Sequence, residues 1–353
     1  MTNVSIRVDA DNQIGYGHLK RCLTLAETLR KKGQMVSFIV KGDRVVENMV
    51  QSKNFECKLL PNLLTLKEEA EKIYKNFPSS ISTFVSDIAH PNTLKDAKNL
   101  ELYLHEINKS FKHVLFDGSG KISFRKSLLN LNCDLLVSPY VGEIKLKTKV
   151  SYKELLGTKY FILGKEYNLK KKRLIKSEAN NILVTCGGSD PKLITANILK
   201  ALGLCKDSRI NIRVIIGPGY NKNYVKNLYI LSEQIHHQIN FIHSPDNLAE
   251  EMYFCDIAIS TSGLTKYELA ATGTPTILMS IDQHHHNVNK AFSKIASVIN
   301  LGVAEKVSTK VLANKIIDLM HNHQKRKQLS ISGQNLVDGN GARRLTNEIL
   351  NLI

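Results

Sequence analysis

The sequence predicts an α/β protein made of two Rossmann-like domains that face each other across a cleft. Strand-like and helical patterns alternate along the whole chain, which is typical of parallel sheets with helices on both faces. At 353 residues the chain is longer than a single hydrophobic core usually supports, so two domains are expected. Loops rich in small polar residues follow several strand-like segments, at the edge where such sheets bind ligands.

The first half of the chain carries five strand-like segments that are separated by helical patterns. The strands are predicted at 4–8, 35–40, 82–86, 112–116 and 134–138, and the helices at 18–32, 43–52, 64–76 and about 92–109. We therefore assign residues 1–165 to an N-terminal Rossmann-like domain. Residues 166–180 are polar and basic, which suits a linker between domains.

A second series of the same kind follows that segment. Strands are predicted at 181–186, 211–216, 238–242, 256–260, 275–280 and 298–300, and helices at about 192–203, 222–235, 246–254, 264–272, 285–296, 308–331 and 341–352. Residues 181–335 are thus assigned to a C-terminal Rossmann-like domain, and residues 336–353 to a C-terminal helix. The glycosyltransferase-B architecture is one natural assembly of two such domains.

Composition restricts the class of protein. Hydrophobic residues at 42% and charged residues at 23% are typical of a folded globular chain. No apolar run reaches the roughly 20 residues that span a bilayer, and the N-terminus shows no signal pattern. We therefore expect a cytoplasmic protein without stable membrane insertion. The six cysteines are scattered without a CxxC pair, which argues for reduced thiols and against a zinc site.

The formal net charge of +17 is large enough to need a cause. Lysine is spread through the chain and no nucleic-acid-binding motif appears, so we expect no nucleic-acid partner. Most of the charge is attributed to a general lysine bias that maintains solubility, and the remainder to an anionic substrate or to an encounter with a membrane surface. The sequence calls for no cofactor and leaves the oligomeric state open.

Residues 13–21 place a glycine-hinged turn and a histidine between a strand-like and a helical pattern. His18 is expected near the N-terminus of that helix, where free N–H groups favour a phosphate or another anion. An ordinary βα turn is the alternative interpretation of this segment alone. We predict that His18 is catalytic. The residues predicted to bind substrate here are Gly15, Tyr16, Gly17 and Arg21.

Two later loops share this design, since each follows a strand-like run and precedes a helix. Small and hydroxyl-bearing residues at such positions act as helix caps or bind phosphate, and three loops together favour a ligand that contains a diphosphate. Glu268, one turn into its helix, can accept hydrogen bonds from ribose hydroxyls or can be a solvated charge. The residues predicted to bind substrate in these loops are Gly187, Gly188, Ser189, Ser262, Gly263, Leu264 and Thr265.

A polar cluster at 282–289 comes directly after the strand predicted at 275–280. Consecutive histidines suggest metal binding, but neighbouring residues of a helix point in different directions, so no metal site is predicted from His284–His286. Asp282 and Gln283, at the end of the strand, are better placed to face the cleft. We predict a catalytic role for Asp282 and substrate binding for Gln283.

Several of these segments resemble a known family. Residues 6–9 (IRVD), 13–18 (QIGYGH) and 21–26 (RCLTLA) closely resemble the start of the UDP-2,4-diacetamido-2,4,6-trideoxy-β-L-altropyranose hydrolases of pseudaminic acid biosynthesis and of the related spore-coat polysaccharide proteins. The resemblance continues at 133–136, 157–163, 187–191, 262–265 with Glu268, and 338–342. It therefore spans nearly the whole chain.

The resemblance implies a glycosyltransferase-B fold and cleavage of a UDP-sugar by water at the anomeric carbon, with His18 in the place of the active-site histidine. In the glycosyltransferases to which this family is similar, the glutamate that matches Glu268 holds the uridine ribose. The loops that match 187–189 and 262–265 surround the diphosphate in those enzymes. The resemblance therefore implies that residues 181–335 are the nucleotide-sugar-binding domain.

The chain departs from the family at two places. It has Asp282-Gln283 where the hydrolases carry Asn-Gln, and Ala89 where they carry a tyrosine, although His90 is close. These changes leave the fold assignment intact. They concern which sugar the protein binds and which reaction it catalyses.

The sequence thus predicts a hydrolase that releases UDP from a UDP-linked, N-acetylated deoxy-amino sugar. His18 would act as general base towards water, Asp9 or Asp11 could orient its ring, and Asp282 could position the sugar or share the base role. We predict Asp9 as a catalytic residue on this ground. A glycosyltransferase that uses the same groups on an acceptor hydroxyl, and a nucleotide-sugar-binding protein without catalysis, are the alternatives.

Overall fold

The computed structural model describes most of the chain, in two compact units. The described residues are 3–11, 14–76, 81–89, 97–118, 123–127, 131–145, 150–168, 172–206, 209–245, 247–261, 263–295 and 297–352. The first unit contains residues 1–165 and 339–353, and the second contains residues 166–338. Each unit is built on its own parallel sheet, as the sequence predicts.

The first unit has a sheet of seven parallel strands in the order β3-β2-β1-β4-β5-β6-β7. The strands are β1 (Asn3–Ala10), β2 (Met35–Gly42), β3 (Glu56–Leu60), β4 (Ile81–Asp87), β5 (Lys112–Phe116), β6 (Leu135–Ser138) and β7 (Lys153–Leu156). The helices up to this point are α1 (Gly17–Lys31), α2 (Arg44–Gln51), α3 (Leu66–Asn76), α4 (Ala97–Ser110) and α5 (Phe124–Ser127). The sequence does not predict β3 and β7, because these edge strands have five and four residues and only one buried residue each.

The central strand β1 is buried on both faces. Val4, Ile6 and Val8 pack beneath the apolar face of α1, and the opposite face carries the buried polar residues Arg7 and Asp9. β1 lies between β2 and β4, so the order of the strands reverses beside it. Ligands of doubly wound sheets bind at such a switch point, outside the carboxyl ends of the strands.

The second unit has a sheet of six parallel strands in the order β10-β9-β8-β11-β12-β13. The strands are β8 (Asn181–Thr185), β9 (Asn211–Ile216), β10 (Gln238–His243), β11 (Ile257–Thr261), β12 (Thr276–Ser280) and β13 (Ile299–Val303). The helices are α6 (Ile194–Leu202), α7 (Lys222–Glu233), α8 (Leu248–Phe254), α9 (Thr265–Ala271), α10 (Gln283–Lys294), α11 (Thr309–His321) and α12 (His323–Leu336). Here the order reverses between β8 and β11, which places a second switch point after Thr185 and Thr261.

The single helix predicted near 308–331 is in fact two helices that meet at Asn322. Its side chain accepts a hydrogen bond from the Lys325 amide at 2.8 Å and thereby caps the start of α12. A cap residue in the middle of a periodic pattern is a local signal for a new helix N-terminus. The sequence pattern predicts one helix instead of two because the apolar periodicity continues on both sides of Asn322.

The last helix, α13 (Gly341–Leu350), packs in the first unit against α1. Gly341 lies directly on the backbone of Phe161, and a Cβ at this position would come within 2.0 Å of the Phe161 carbonyl oxygen. The segment 336–353, predicted as one C-terminal helix, is therefore divided between the two units. α12 ends in the second unit at Leu336, and α13 completes the core of the first.

The segment 166–180, predicted as a basic linker, is part of the second unit. The buried guanidinium of Arg173 donates hydrogen bonds to the Met252 carbonyl at 2.8 Å and to the Thr274 hydroxyl at 2.9 Å. Arg326 donates to the carbonyls of Lys176 and Ser177 at 2.9 and 2.7 Å. These bonds attach the basic segment to the domain that follows it.

None of the helices in the described ranges combines the length and the apolar composition needed to cross a membrane.

Candidate functional site

His18 lies in the first turn of α1, at the switch point of the first sheet, and its ring contacts a buried carboxylate. His18 Nδ1 is 2.7 Å from Oδ1 of Asp87, the last residue of β4. Arg21 Nη2, which can only donate, also lies 3.1 Å from His18 Nδ1. Because the ionised carboxylate only accepts hydrogen bonds and lies closer, we assign the ring proton to Nδ1, which leaves the lone pair of the neutral imidazole on Nε2. The His18 side chain is 23% exposed, which makes a ligand-facing imidazole possible.

Asp87 is also paired with Arg21, one turn further along α1. The guanidinium donates from Nε to Oδ2 and from a terminal nitrogen to Oδ1, both at 2.5 Å. Burial works to raise the pKa of Asp87, but the charge of Arg21, supported by the hydrogen bonds from Arg21 and His18, holds it well below its usual range. Asp87 therefore stays ionised and keeps the imidazole oriented.

Two further side chains complete this cluster. The Tyr140 hydroxyl, just beyond β6, accepts a hydrogen bond from Arg21 at 3.2 Å. Cys22 Sγ lies 3.4 Å from Asp87 Oδ2, and burial followed by the neighbouring carboxylate raises the pKa of this thiol. Cys22 is thus a neutral donor to Asp87 rather than a nucleophile.

The turn before α1 presents main-chain donors. Gly15 has a φ of +85°, which favours glycine, and its amide donates to the Asp11 carbonyl at 2.8 Å. Tyr16 is the N-cap of α1 and makes no side-chain capping bond. The Tyr16 side chain therefore does not cap the first amides of α1, which lie beside His18.

Asp9 and Asp11 do not contact the His18 ring, so the prediction that one of them orients it is replaced by Asp87. Asp9 pairs with Arg7 at 2.7 Å and accepts a hydrogen bond from the Ala89 amide at 2.7 Å. Asp11 accepts from the Ile14 amide at 2.6 Å. Asp9 thus holds the backbone just after Asp87, two residues from the carboxylate that touches the histidine. His90 lies outside the described residues.

The loop after β8 brings Gly187, Gly188 and Ser189 to the surface at the second switch point. A Cβ built on Gly187 or Gly188 meets no atom within 4 Å, so the outer side of this loop is open. The helix that follows is not free for an anion, because Asp190 accepts from the amides of Ile194 and Thr195 at 2.9 and 2.8 Å. The expected N-terminal phosphate site is therefore occupied by a carboxylate here.

Gly217, which directly follows β9, lies against the backbone of this loop. A Cβ on Gly217 would come within 2.4 Å of the Gly188 carbonyl oxygen. Gly217→Ala should therefore displace residues 187–189 and destabilise the fold by about 1–3 kcal/mol, the usual cost of overpacking. Thermal unfolding and calorimetric titration with UDP measure both effects. Gly219→Ala is the graded control, since its Cβ would lie 3.1 Å from Ser189 Cβ and 3.2 Å from the same oxygen, contacts that a much smaller shift relieves. An equal loss in both variants would contradict this account.

The loop after β11 exposes Gly263 and Leu264, and Thr265 begins α9. Ser262 lies outside the described residues. α9 has no side-chain cap. Glu268 lies in the first turn of α9 and is half-buried, and its carboxylate accepts a hydrogen bond from the Tyr167 hydroxyl. Burial followed by the charge of Glu268 raises the pKa of Tyr167 well above its ordinary value. Glu268 is thus held by a neutral phenol rather than solvated.

Asp282 caps α10, which begins at Gln283. Its Oδ1 accepts from the His285 amide and lies near His285 Nδ1, both at 2.8 Å. Its slight burial would raise its pKa, but these hydrogen bonds lower it below the usual value. An ionised, half-exposed capping carboxylate is a weak general base, which favours a positioning role over the predicted catalytic one. Gln283 is exposed and donates to Asn287 at 3.2 Å.

The arrangement provides, in the first unit, a histidine that is oriented by a buried carboxylate at the start of α1. In the second it provides an open glycine loop and an anchored glutamate. In the described part of the chain, no three His, Cys, Asp or Glu side chains are grouped so as to hold a metal ion.

Comparison with known proteins identifies the class. Residues 181–340 match the model of the glycosyltransferase family 28 C-terminal domain. MurG of Acinetobacter baumannii has the same fold, with a TM-score of 0.71 at 13% sequence identity over 99% of this chain and 100% of that one. The two doubly wound units therefore make up a glycosyltransferase-B-like enzyme fold, which confirms the fold class predicted from the sequence.

The named relatives are more specific. The chain is 25% identical to the spore coat polysaccharide biosynthesis protein SpsG of Bacillus subtilis, over 98% of this chain and 96% of that protein. It is 29% identical to a Helicobacter pylori protein named pseudaminic acid cytidylyltransferase and UDP-2,4-diacetamido-2,4,6-trideoxy-β-L-altropyranose hydrolase, over 90% of this chain and 50% of that protein. An uncharacterized protein of Methanocaldococcus jannaschii is 29% identical over 78% of this chain and 55% of its own length.

The chain thus spans about half the length of two of these three relatives. The resemblance to the hydrolase and spore-coat proteins that the sequence motifs indicate is confirmed by these relatives.

Proposed function

We propose that this protein is a UDP-sugar hydrolase that releases UDP from a UDP-linked, N-acetylated deoxy-amino sugar. The pathway would be bacterial nonulosonic acid biosynthesis of the pseudaminic acid type, or the synthesis of a surface polysaccharide. The observation that carries the proposal is the contact between His18 and Asp87 at the switch point of the first sheet, 2.7 Å long. The hydrolase named among the relatives supports the choice of reaction.

In this reaction His18 takes a proton from water through Nε2 while the water oxygen attacks the anomeric carbon. The bond between that carbon and the phosphate oxygen breaks, and UDP leaves with the electron pair. Asp87, which is ionised and 1% exposed, stabilises the imidazolium that forms. Arg21 keeps Asp87 charged, so the carboxylate does not take up the proton itself.

The second unit is proposed to hold the nucleotide. The open loop at 187–189 suits close approach of a diphosphate, and the carboxylate of Glu268 suits the two hydroxyls of a ribose. Tyr167 fixes that carboxylate through its hydroxyl. The roles of Gly263, Leu264, Thr265 and Gln283 as substrate contacts stay predictions.

A glycosyltransferase is the second candidate, because the matched family model is that of a glycosyltransferase domain. Such an enzyme would use His18 to deprotonate an acceptor hydroxyl instead of water. The chemistry at the donor carbon is the same in both cases, so the residues described above serve either reaction.

Incubation of the purified protein with a panel of UDP-amino sugars, with and without sugar or lipid acceptors, separates the two. We expect mass spectrometry to find free UDP and free sugar without any acceptor. UDP-sugars that stay intact until an acceptor is added would establish the transferase and overturn the hydrolase proposal.

Glu268→Ala is expected to weaken UDP binding about ten- to a hundredfold, the usual effect of removing a hydrogen bond to a charged group. Isothermal titration calorimetry with UDP and with inorganic pyrophosphate measures it. Pyrophosphate carries no ribose, so its affinity should change little. An equal loss for both ligands would show that Glu268 does not recognise the nucleoside.

A further inference from the structure

Lys266, in the first turn of α9, carries a buried ammonium group. The residue is 4% exposed, and Nζ donates one hydrogen bond, to Asn289 Oδ1 at 2.9 Å. Asn289 is fully buried on α10 and donates from Nδ2 to the hydroxyl of Ser280 at 2.9 Å. The rings of Phe292 and Tyr267 lie 5.1 and 5.6 Å from Nζ and offer it their faces, but neither carries a negative charge. An ammonium has three donors, and a single neutral oxygen accepts from this one.

This situation differs from that of the other buried cations among the described residues. Arg7 is paired with Glu69 and Asp9, Arg21 with Asp87, and Arg125 with Glu143 and Glu154. Arg173 and Arg326 donate to several backbone carbonyls each. Within the described ranges no carboxylate lies within ion-pair distance of Lys266 Nζ. A buried charge without a counter-charge lowers the stability of the fold, which points to a functional role for such a residue.

The charged and titratable groups on the surrounding elements do not neutralise Lys266. Glu268 on the same helix accepts from Tyr167, and Asp282 is used by His285. The other charged or titratable residues on α9, α10 and α12 include no acid. They are Tyr267, His284, His285, His286, Lys290, Lys294, His323, Lys325, Arg326 and Lys327. Burial alone lowers the pKa of Lys266 to about 8, which agrees with the lack of a compensating anion.

The charge of Lys266 lies between the carboxyl ends of two neighbouring strands of the second sheet. Lys266 follows β11. Its ammonium is hydrogen-bonded to Asn289, which is in turn hydrogen-bonded to Ser280, the last residue of β12. Both strands end at the edge of the sheet that also carries residues 187–189 and Glu268. We propose that Lys266 is the cation of an anion-binding site at this edge, and that it attracts the diphosphate of a nucleotide ligand. The inference rests on the proposed function, because it names the part of the nucleotide that this residue serves.

An anion that binds beside a partly neutral amine draws a proton onto it. At pH 8.5 about three quarters of a group with a pKa of about 8 is neutral. Binding of UDP at this pH should therefore be accompanied by uptake of a substantial fraction of a proton, whereas at pH 7.0 the uptake from this group should be small. This pH also lies above the ordinary pKa of histidine and of a phosphate monoester.

The test is isothermal titration calorimetry of the whole protein with UDP and with uridine, at pH 7.0 and 8.5, in two buffers of different ionisation enthalpy. We expect wild-type protein to take up protons with UDP at pH 8.5 and none with uridine. Lys266→Met should weaken UDP binding ten- to a hundredfold at pH 7.0 and change uridine binding less than twofold. Lys290→Met, which removes an exposed charge from α10, should change neither.

Equal losses of UDP and uridine affinity in Lys266→Met would show a purely structural lysine and overturn the inference. The absence of proton uptake by wild-type protein at pH 8.5 would overturn it as well, and that measurement does not depend on a variant that folds. If wild-type protein binds neither UDP nor uridine, the proposed function fails together with the inference.

Discussion

Replacement of His18 by alanine is expected to reduce the rate of UDP release about a hundred- to ten-thousandfold. That is the usual contribution of a positioned general base. Asp87 keeps its paired bonds to Arg21 in this variant, at 2.5 Å each, so no buried charge loses its counter-charge. The fold and UDP binding should consequently be retained. Initial rates of UDP release and calorimetric titration with UDP separate the two effects.

His105→Ala is the matched control, because it removes an exposed histidine from α4 in the same unit. It should leave the rate within a factor of two of wild type. A His18→Ala protein that binds UDP and still releases it at the wild-type rate would exclude His18 as the base. A variant that loses UDP binding and activity to the same extent would instead assign His18 to ligand binding.

Local sequence patterns identify the loops that carry the candidate residues, because glycines and small polar residues between a strand and a helix are a short-range signal. His18, residues 187–189 and Glu268 were found in this way. Asp87 was not, although it stands at the end of a predicted strand. Its contact with His18 joins residues 69 positions apart and exists only because β4 lies beside β1 in the sheet.

The same limit applies to the helix starts. Asp190 and Asp282 follow strands and precede helices, so each fits a ligand-facing acid as well as a cap. In the structure both carboxylates cap a helix, because they accept hydrogen bonds of 2.8–2.9 Å from backbone amides of its first turn. Lys266 gives no sequence signal at all, since a lysine in a helical pattern is normally exposed. Its burial follows from the packing of α9 beside α10.

The charge of Asp87 should matter as much as its position. Asp87→Asn preserves the shape of the side chain but leaves Arg21, which is 9% exposed, without a counter-charge. Breaking a buried ion pair from one side costs about 3–5 kcal/mol, so we expect a lower free energy of unfolding by roughly that amount. The neutral amide also fails to hold the proton on His18 Nδ1, and we expect the rate of UDP release to fall about a hundredfold or more.

The stability difference should depend on pH. The pKa of Asp87 is lowered in the folded protein, so its stabilising effect is complete above the unfolded pKa of about 4 and is lost as the pH falls below it. Denaturant unfolding of wild type and Asp87→Asn at pH 7 and at pH 3.5 checks this. A difference that grows on acidification would contradict the assigned ion pair.

Asp9→Asn separates a positioning role of Asp87 from a structural one. Asp9 is also a buried carboxylate paired with an arginine, but it contacts Arg7 and the Ala89 amide instead of the histidine. Both variants should lose stability, and Asp87→Asn should lose far more activity. Because Asp87 is proposed to act through the imidazole, adding Asp87→Asn to a His18→Ala protein should cost no further activity. Additive losses in that double variant would show that Asp87 acts on the reaction independently of His18.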